Sequence, residues 1–232
     1  MRRLLLLCSG LLGLLDGASA QVPALTPFGA AGGAPAAPWH VVGLPQQTKP
    51  FTQFSVVDID GKRALKVESK EAYGNVVHPL AWTTTSAKLA WQWRIEEPIE
   101  ASDLTQKAGD DTALKVCVFF DLSIDKIPFG DRQLLRFARS KTTEPVPAAT
   151  VCYVWDAKLP AGTTLDNAFT KRMRYVVVRS GPQKLNQCRP RSATSRPTSS
   201  SCSVPRATPC RRSSASRSAP TAITRSRAAS AT

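Results

Sequence analysis

Two tryptophans at a spacing of two residues are the first feature of this sequence that could do chemistry. Trp91 and Trp93 lie in the run 88–96, where apolar and polar residues alternate. Side chains at positions i and i+2 of a strand point to the same face, so both indoles could stack on sugar rings. Such a pair more often belongs to the core of a sheet protein, and we favour that interpretation.

A second candidate for ligand binding is the loop 107–111, whose sequence is Lys-Ala-Gly-Asp-Asp. Lys107, Asp110 and Asp111 could bind a polar ligand, and the two carboxylates could bind a hard cation such as calcium, which takes about 6–8 oxygens. Two adjacent carboxylates are too few ligands on their own, and Asp capping the backbone of a turn is the simpler interpretation. We therefore predict no metal site and no cofactor here.

The sequence contains no recognisable catalytic constellation. Glu96 and Glu97 are adjacent, so on a strand they would face opposite sides and could not act as a facing acid–base pair. His40 and His78 are the only histidines, and neither has a metal ligand or catalytic partner at a recognisable spacing. Nucleophile-elbow, P-loop and dinucleotide-binding patterns do not occur. We predict no catalytic residues and favour a binding protein over an enzyme.

The N-terminus predicts export. Arg2 and Arg3 precede an apolar run at 4–15, which is too short to span a bilayer, and Ala-Ser-Ala at 18–20 has the pattern of a signal-peptidase site. We expect residues 1–20 to be a signal peptide, with no transmembrane helix after its cleavage. The protein is then periplasmic or secreted.

Export places the cysteines in an oxidising compartment, where they can pair. Cys117 and Cys152 each lie inside an apolar, strand-like run. If those strands are neighbours in register, the two sulfurs could form a disulfide, and closing a loop of about 35 residues would stabilise the fold by about 3–4 kcal/mol. The alternative is two buried thiols that pack as small apolar side chains.

Apolar periodicity predicts a mainly β protein with seven or eight short strands. The clearest runs are 52–58, 63–69, 73–80, 88–96, 112–121, 150–155 and 172–179, whereas 134–140 is ambiguous. Asp60-Gly61 predicts a tight hairpin between the first two strands. The nearly continuous apolar run 112–121 is typical of a strand covered on both faces. No amphipathic helix longer than three turns is evident, and these features favour an antiparallel β-sandwich.

The composition changes at about Ser180. The next 52 residues contain no Asp or Glu but include ten of the 31 basic residues, and we predict a disordered tail over 182–232. The Ala-, Gly- and Pro-rich segment 21–38 is predicted to be a flexible leader. Between them, 39–181 is the predicted sandwich domain. Because most of the net charge of +14 belongs to the tail, it does not indicate a specific nucleic-acid partner.

Several segments of the domain follow one another in a recognisable order. They are Trp-His-Val-Val-Gly-Leu-Pro at 39–45, Trp-Gln-Trp-Arg at 91–94, the loop 107–111, Val-Phe-Phe-Asp at 118–121, Tyr-Val-Trp at 153–155, Leu-Pro-Ala-Gly-Thr at 159–163, and 172–181. Together they resemble the bacterial family of domains of unknown function DUF3047. The resemblance implies an exported protein of no established activity, with a jelly-roll-like sandwich similar to carbohydrate-binding modules.

The resemblance ends at Gly181. In the family a tryptophan-containing strand, a Glu-Arg-Asp segment, a short helix and an acidic closing strand follow, and none of these is present here. Our hypothesis is a frameshift near codons 182–190, which would leave the sandwich incomplete.

Three functions remain open from the sequence. The preferred one is an exported, non-catalytic sandwich that binds saccharide or cell-envelope ligands. The first alternative is the inactive remnant of a lectin-like hydrolase, and the second is a basic surface protein that adheres to polyanions through its tail.

Overall fold

The computed structural model of this chain is mainly β. It describes residues 24–44, 46–80, 87–142, 144–183, 185–195 and 221–227, and the predicted signal peptide lies outside these ranges. The strands are β1 (His40–Val42), β2 (Gln53–Ile59), β3 (Lys62–Lys70), β4 (Asn75–Val77), β5 (Ala87–Glu97), β6 (Leu114–Phe120), β7 (Ala149–Asp156), β8 (Thr164–Asp166), β9 (Met173–Ser180), β10 (Arg189–Ser195) and β11 (Thr221–Arg227). The α-helix α1 (Phe129–Arg139) covers most of the ambiguous segment 134–140.

These strands form three sheets. The orders are β1-β4, β10-β5-β11-β3-β2 and β6-β7-β9-β8. The predicted hairpin joins β2 to β3, and its turn residues Asp60 and Gly61 both have positive φ, at 50° and 70°. Such a turn matches the right-handed twist of the strands it connects, which is why Gly is favoured there.

The five-stranded and four-stranded sheets pack against each other through an aromatic core. On β5, Trp91, Trp93 and Ile95 are buried and Leu89 packs beside them, as the alternation of this segment predicts. The opposing side chains are Tyr153 and the other buried residues of the inner face of β7 and its neighbours. Throughout, we call this face of the four-stranded sheet its inner face.

The four-stranded sheet differs from two predictions. All eight residues of β7 are buried, so β7 is the doubly covered strand, whereas β6, predicted for that place, is at the sheet edge. The pairing is also not antiparallel throughout, because β9 enters between β8 and β7 and runs parallel to β7. The jelly-roll connectivity stays a prediction.

The segment 24–38, predicted to be a flexible leader, packs along the edge strand β2. The Gly32 N–H donates to the Val56 carbonyl at 2.7 Å, and the Val56 N–H donates to the Gly33 carbonyl at 2.8 Å. Phe28 is buried against Val56 and Leu65. Composition alone missed this role, because the Gly-rich backbone satisfies the open edge of a sheet and one phenylalanine anchors it.

Two short segments of the predicted tail are strands in the structure. The strand β10 pairs with β5, and β11 lies between β5 and β3, parallel to both. Leu185 and Ala193 pack against the aromatic core. Strand pairing is made by backbone groups, so an edge such as that of β5 can be paired by a segment whose side-chain pattern does not predict a strand.

Candidate functional site

The structure excludes the two tryptophans of β5 as a surface for ligand stacking. Trp91 and Trp93 are 3% and 0% exposed. Their ring centroids are 5.6 Å apart at a nearly perpendicular angle, and Trp91 lies 5.3 Å from the ring of Tyr153. The core interpretation therefore describes this pair, and a sugar ring in solvent could not reach either indole.

The loop residue Asp110 instead meets two side chains from distant parts of the chain. Its Oδ1 accepts a hydrogen bond from the Tyr175 hydroxyl at 2.7 Å, and its Oδ2 accepts one from Asn167 Nδ2 at 2.6 Å. Asn167 Nδ2 also donates to the Tyr175 hydroxyl at 3.0 Å. We call Asp110, Asn167 and Tyr175 the Asp110 cluster. It joins the loop before β6, the segment after β8 and strand β9.

The electrostatics of the Asp110 cluster keep its tyrosine protonated. Burial raises the pKa of Tyr175, and the hydrogen bond to the Asp110 carboxylate and the negative charge of that group raise it further. A phenol that stays neutral keeps its O–H, which donates a hydrogen bond to the Asp110 carboxylate. Both oxygens of Asp110 thus accept a hydrogen bond from a side chain of the cluster.

The loop that carries Asp110 is held by its own backbone and by a buried leucine. Leu104 is fully buried among the side chains around Tyr175. The Asp103 N–H donates to the Gly109 carbonyl at 2.8 Å, and a Cβ on Gly109 would lie only 2.9 Å from that Asp103 nitrogen. The Asp103 carboxylate accepts hydrogen bonds from the Thr105 hydroxyl and N–H, which lower its pKa.

An exposed phenylalanine is presented directly beside the Asp110 cluster. Asn167 Oδ1 accepts the backbone N–H groups of Phe169 at 3.0 Å and of Thr170 at 3.1 Å, which fixes the turn. Phe169 is 64% exposed, and Lys107 Nζ lies 5.6 Å from the centroid of its ring. We call Phe169, Lys107 and the exposed Asp111, which follows Asp110 in the chain, the Phe169 surface.

The two cysteines pack in the same buried group as Tyr175. Cys117 and Cys152 are directly opposite each other on β6 and β7 and form a disulfide. Cys152 is in turn the register partner of Tyr175 on β9, and these residues belong to one buried group. The disulfide and the Asp110 cluster therefore share the outer face of the four-stranded sheet, opposite its aromatic inner face.

Other groups considered from the sequence lie apart. His78 Nε2 accepts the Thr26 N–H at 3.1 Å, and His40 is 3.6 Å from Glu144 at the surface. Within the described ranges, no three His, Cys, Asp or Glu side chains are grouped so that they could hold a metal ion. The described residues likewise contain no helix with the length and apolar character needed to cross a membrane.

Comparison with known families settles the relationship of the chain. Residues 37–194 match the family described as protein of unknown function (DUF3047). The chain belongs to the DUF3047 family. No curated protein and no solved structure matches it significantly.

The DUF3047 match contains the whole candidate site and extends past Gly181, where the sequence pattern changes, to include most of β10. Of the predicted ligand-binding residues, Lys107, Asp110 and Asp111 lie at the site, whereas the two tryptophans lie in the core. Sequence reasoning missed Asn167, Phe169 and Tyr175. The Asp-Asn pair at 166–167 is a turn signal that could have pointed to the first of these.

Proposed function

We propose that this DUF3047 protein is an exported, non-catalytic module that binds saccharide or cell-envelope ligands at the Phe169 surface. The observation that carries the proposal is the exposed Phe169 ring, held by Asn167 and flanked by Lys107. An exposed aromatic ring can pack against the C–H face of a sugar, and adjacent charged groups can bind its hydroxyls.

The Asp110 cluster supports binding rather than hydrolysis. Both Asp110 oxygens accept hydrogen bonds within the protein, so the carboxylate is committed to holding Tyr175 and Asn167 in place. A support of this kind reduces the ordering cost of ligand binding, because the turn carrying the ring is already fixed. It does not provide the pair of facing carboxylates that most glycosidases use.

The proposal includes export. The disulfide between Cys117 and Cys152 is of the kind that persists in oxidising compartments. The segment 1–20 has the pattern of a signal peptide. Fractionation of cells expressing the chain should recover it outside the cytoplasm, and changing Ala18 and Ala20 to bulky residues should block its processing. Recovery in the cytoplasm would contradict this part of the proposal.

Binding to an array of bacterial and plant glycans tests the ligand class. We expect Phe169→Ala to lose binding to whichever glycans retain the parent chain. Phe51→Ala is the matched control, because Phe51 is also an exposed phenylalanine but lies away from the four-stranded sheet. Equal binding by the parent and Phe169→Ala would reject the Phe169 surface, and release of reducing sugar would reject a non-catalytic role.

The tail arginines provide the competing explanation for any envelope binding. A variant with Arg206, Arg211, Arg212 and Arg217 changed to Gln separates the two, since these residues lie outside the family match. We expect it to retain glycan binding that resists salt. Loss of all binding in this variant would favour polyanion adhesion, which weakens steeply as salt rises.

We also propose that the frame of the gene changes near codons 182–190. Arg191 is the register partner of Trp91, so it lies half-buried on the face of the aromatic core. The indole N–H groups of Trp91 and Trp93 are buried without a hydrogen-bond partner among the described residues. If the core had evolved together with this β10 sequence, we would expect hydrogen-bond acceptors for both buried indole N–H groups. Resequencing the locus tests the proposal, and an intact frame encoding the same tail would refute it.

A further inference from the structure

The helix α1 has an apolar stripe that faces away from the protein. Phe129, Leu134 and Phe137 are 72%, 65% and 63% exposed. The helix is fixed to the fold by Leu135, which is fully buried against Ile127 and Ala148. At about 100° per residue, Leu135 lies about 160° around the helix from Phe137. The exposed stripe is therefore not the face that anchors the helix.

Basic side chains lie close to this stripe in the sequence, and one of them lies against a ring of the stripe. Residues 124–141 contain five basic and two acidic residues. Arg132 and Arg139 brace the helix by donating to the carbonyls of Ile127 and Val146, at 3.1 and 3.0 Å. The other three are exposed, and they are Lys126, Arg136 and Lys141. Lys141 Nζ lies 5.2 Å from the centroid of Phe137, so cation and ring occupy the same part of the surface.

From this arrangement we propose that α1 docks on an anionic lipid bilayer, lying in the plane of its surface. Phe129, Leu134 and Phe137 enter the headgroup region, and the three exposed cations contact lipid phosphates. Aromatic and aliphatic residues on one side of a helix, with Lys and Arg beside them, are the features that bind helices to membrane interfaces. A free peptide of eleven residues would have to fold to bind, whereas Leu135 already holds α1 in its helical form.

The cations near the apolar stripe favour a lipid bilayer over an apolar protein groove as the partner of α1. Two exposed phenylalanines alone would fit either partner. Three exposed cations around them would lose hydration in an apolar groove without gaining an opposite charge, but beside anionic headgroups each contributes to binding. A second copy of this chain would bring like charges together at a two-fold contact, which opposes self-association through the same face.

Sedimentation of the full chain with lipid vesicles tests the proposal. We expect binding to vesicles of phosphatidylglycerol mixed with phosphatidylcholine, little binding to phosphatidylcholine alone, and weaker binding at high salt. Phe129→Ser with Phe137→Ser should lower the partition coefficient by about tenfold or more. Changing Lys126, Arg136 and Lys141 to Gln should lower it by roughly a hundredfold.

A charge-matched control separates α1 from the high net charge of the chain. Lys49, Lys70 and Lys88 are exposed elsewhere, and changing them to Gln removes the same charge. We expect this variant to bind nearly as well as the parent. An equal loss in the control and α1 variants would overturn the proposal, as would absent or charge-independent binding of the parent.

Further measurements guard against indirect effects. Circular dichroism and thermal melting should show that the variants remain folded, and Leu134→Gln gives an independent, milder change on the same stripe. Analytical ultracentrifugation without lipid tests self-association. A parent dimer that the Phe129 and Phe137 changes convert to monomer would overturn the proposal in favour of a second copy of the chain.

Discussion

The two faces of the four-stranded sheet use aromatic residues in opposite ways. Against the inner face, Trp91 and Trp93 of the opposing strand β5 pack with Tyr153 out of solvent. On the outer face, Tyr175 is tied to Asp110 and Asn167, and the same asparagine presents Phe169 to solvent. The polar support of an aromatic residue, rather than the presence of aromatic residues, therefore distinguishes the candidate site from the core.

The inner face should be the more sensitive of the two to truncation. Trp93→Ala removes a fully buried indole, and we expect a loss of about 3–5 kcal/mol in the free energy of unfolding. Urea denaturation followed by far-UV circular dichroism measures this. Trp93→Phe fills most of the space and should cost clearly less. A Trp93→Ala protein as stable as the parent would mean that the tryptophans are not core residues.

The disulfide should be the strongest single support of the outer face. Changing Cys117 and Cys152 together to Ala removes a link across 35 residues, and we expect a loss of about 3–4 kcal/mol from loop entropy. Reduction of the parent protein with dithiothreitol should lower its midpoint in urea to about that of the double variant. The double variant, which lacks this disulfide, is the control and should not respond to the reductant. A parent protein whose stability the reductant leaves unchanged would contradict the assignment.

The hydrogen bonds of the Asp110 cluster should contribute less than the disulfide. Tyr175→Phe removes the donor to Asp110 Oδ1, and we expect a loss of about 1–2 kcal/mol. A double-mutant cycle with Asp110→Asn should show that the two changes are not additive. Additive losses would indicate that the hydroxyl and the carboxylate do not stabilise each other.

The raised pKa of Tyr175 should make the stability of the protein depend on pH. A raised folded-state pKa contributes stability below the unfolded pKa of tyrosine, about 10, and this stability is lost as the pH rises beyond it. The parent should therefore lose more stability than Tyr175→Phe when the pH increases from about 9 to about 11. Parallel pH profiles for the two proteins would contradict burial of an un-ionised phenol.

Phe169→Ala should have the smallest effect on stability. The ring is mostly exposed, so its removal should change the free energy of unfolding by about 0.5 kcal/mol or less. The same change is expected to abolish ligand binding. A large loss of stability would show that Phe169 has a packing role and would weaken its assignment to a binding surface.

Local sequence patterns predicted the aromatic core and the β2–β3 hairpin better than they predicted the Asp110 cluster. The alternation around Trp91 and the Asp60-Gly61 turn depend on neighbours in the sequence, and both elements form as expected. The contact between Asp110 and Tyr175 joins residues 65 apart. It depends on β9 entering between β8 and β7, and no local pattern specifies that order of strands.

Parts of the segments that flank the predicted domain pair with the sheets for a related reason. Composition indicated little apolar surface in 24–38 and in the tail, but it does not show where a sheet has an open edge. Phe28 and the backbone of Gly32 and Gly33 cover β2, and β10 pairs with β5. Backbone hydrogen bonding therefore recruits segments that side-chain periodicity leaves unassigned.

The most direct test of the outer face as the binding face is a glycan titration followed by ¹H–¹⁵N NMR. We predict that a glycan selected on the array shifts the Asn167 side-chain amide and the Phe169 backbone amide. The indole N–H resonances of Trp91 and Trp93 should not move. Shifts confined to those two indoles, with the Asn167 amide unchanged, would contradict the account.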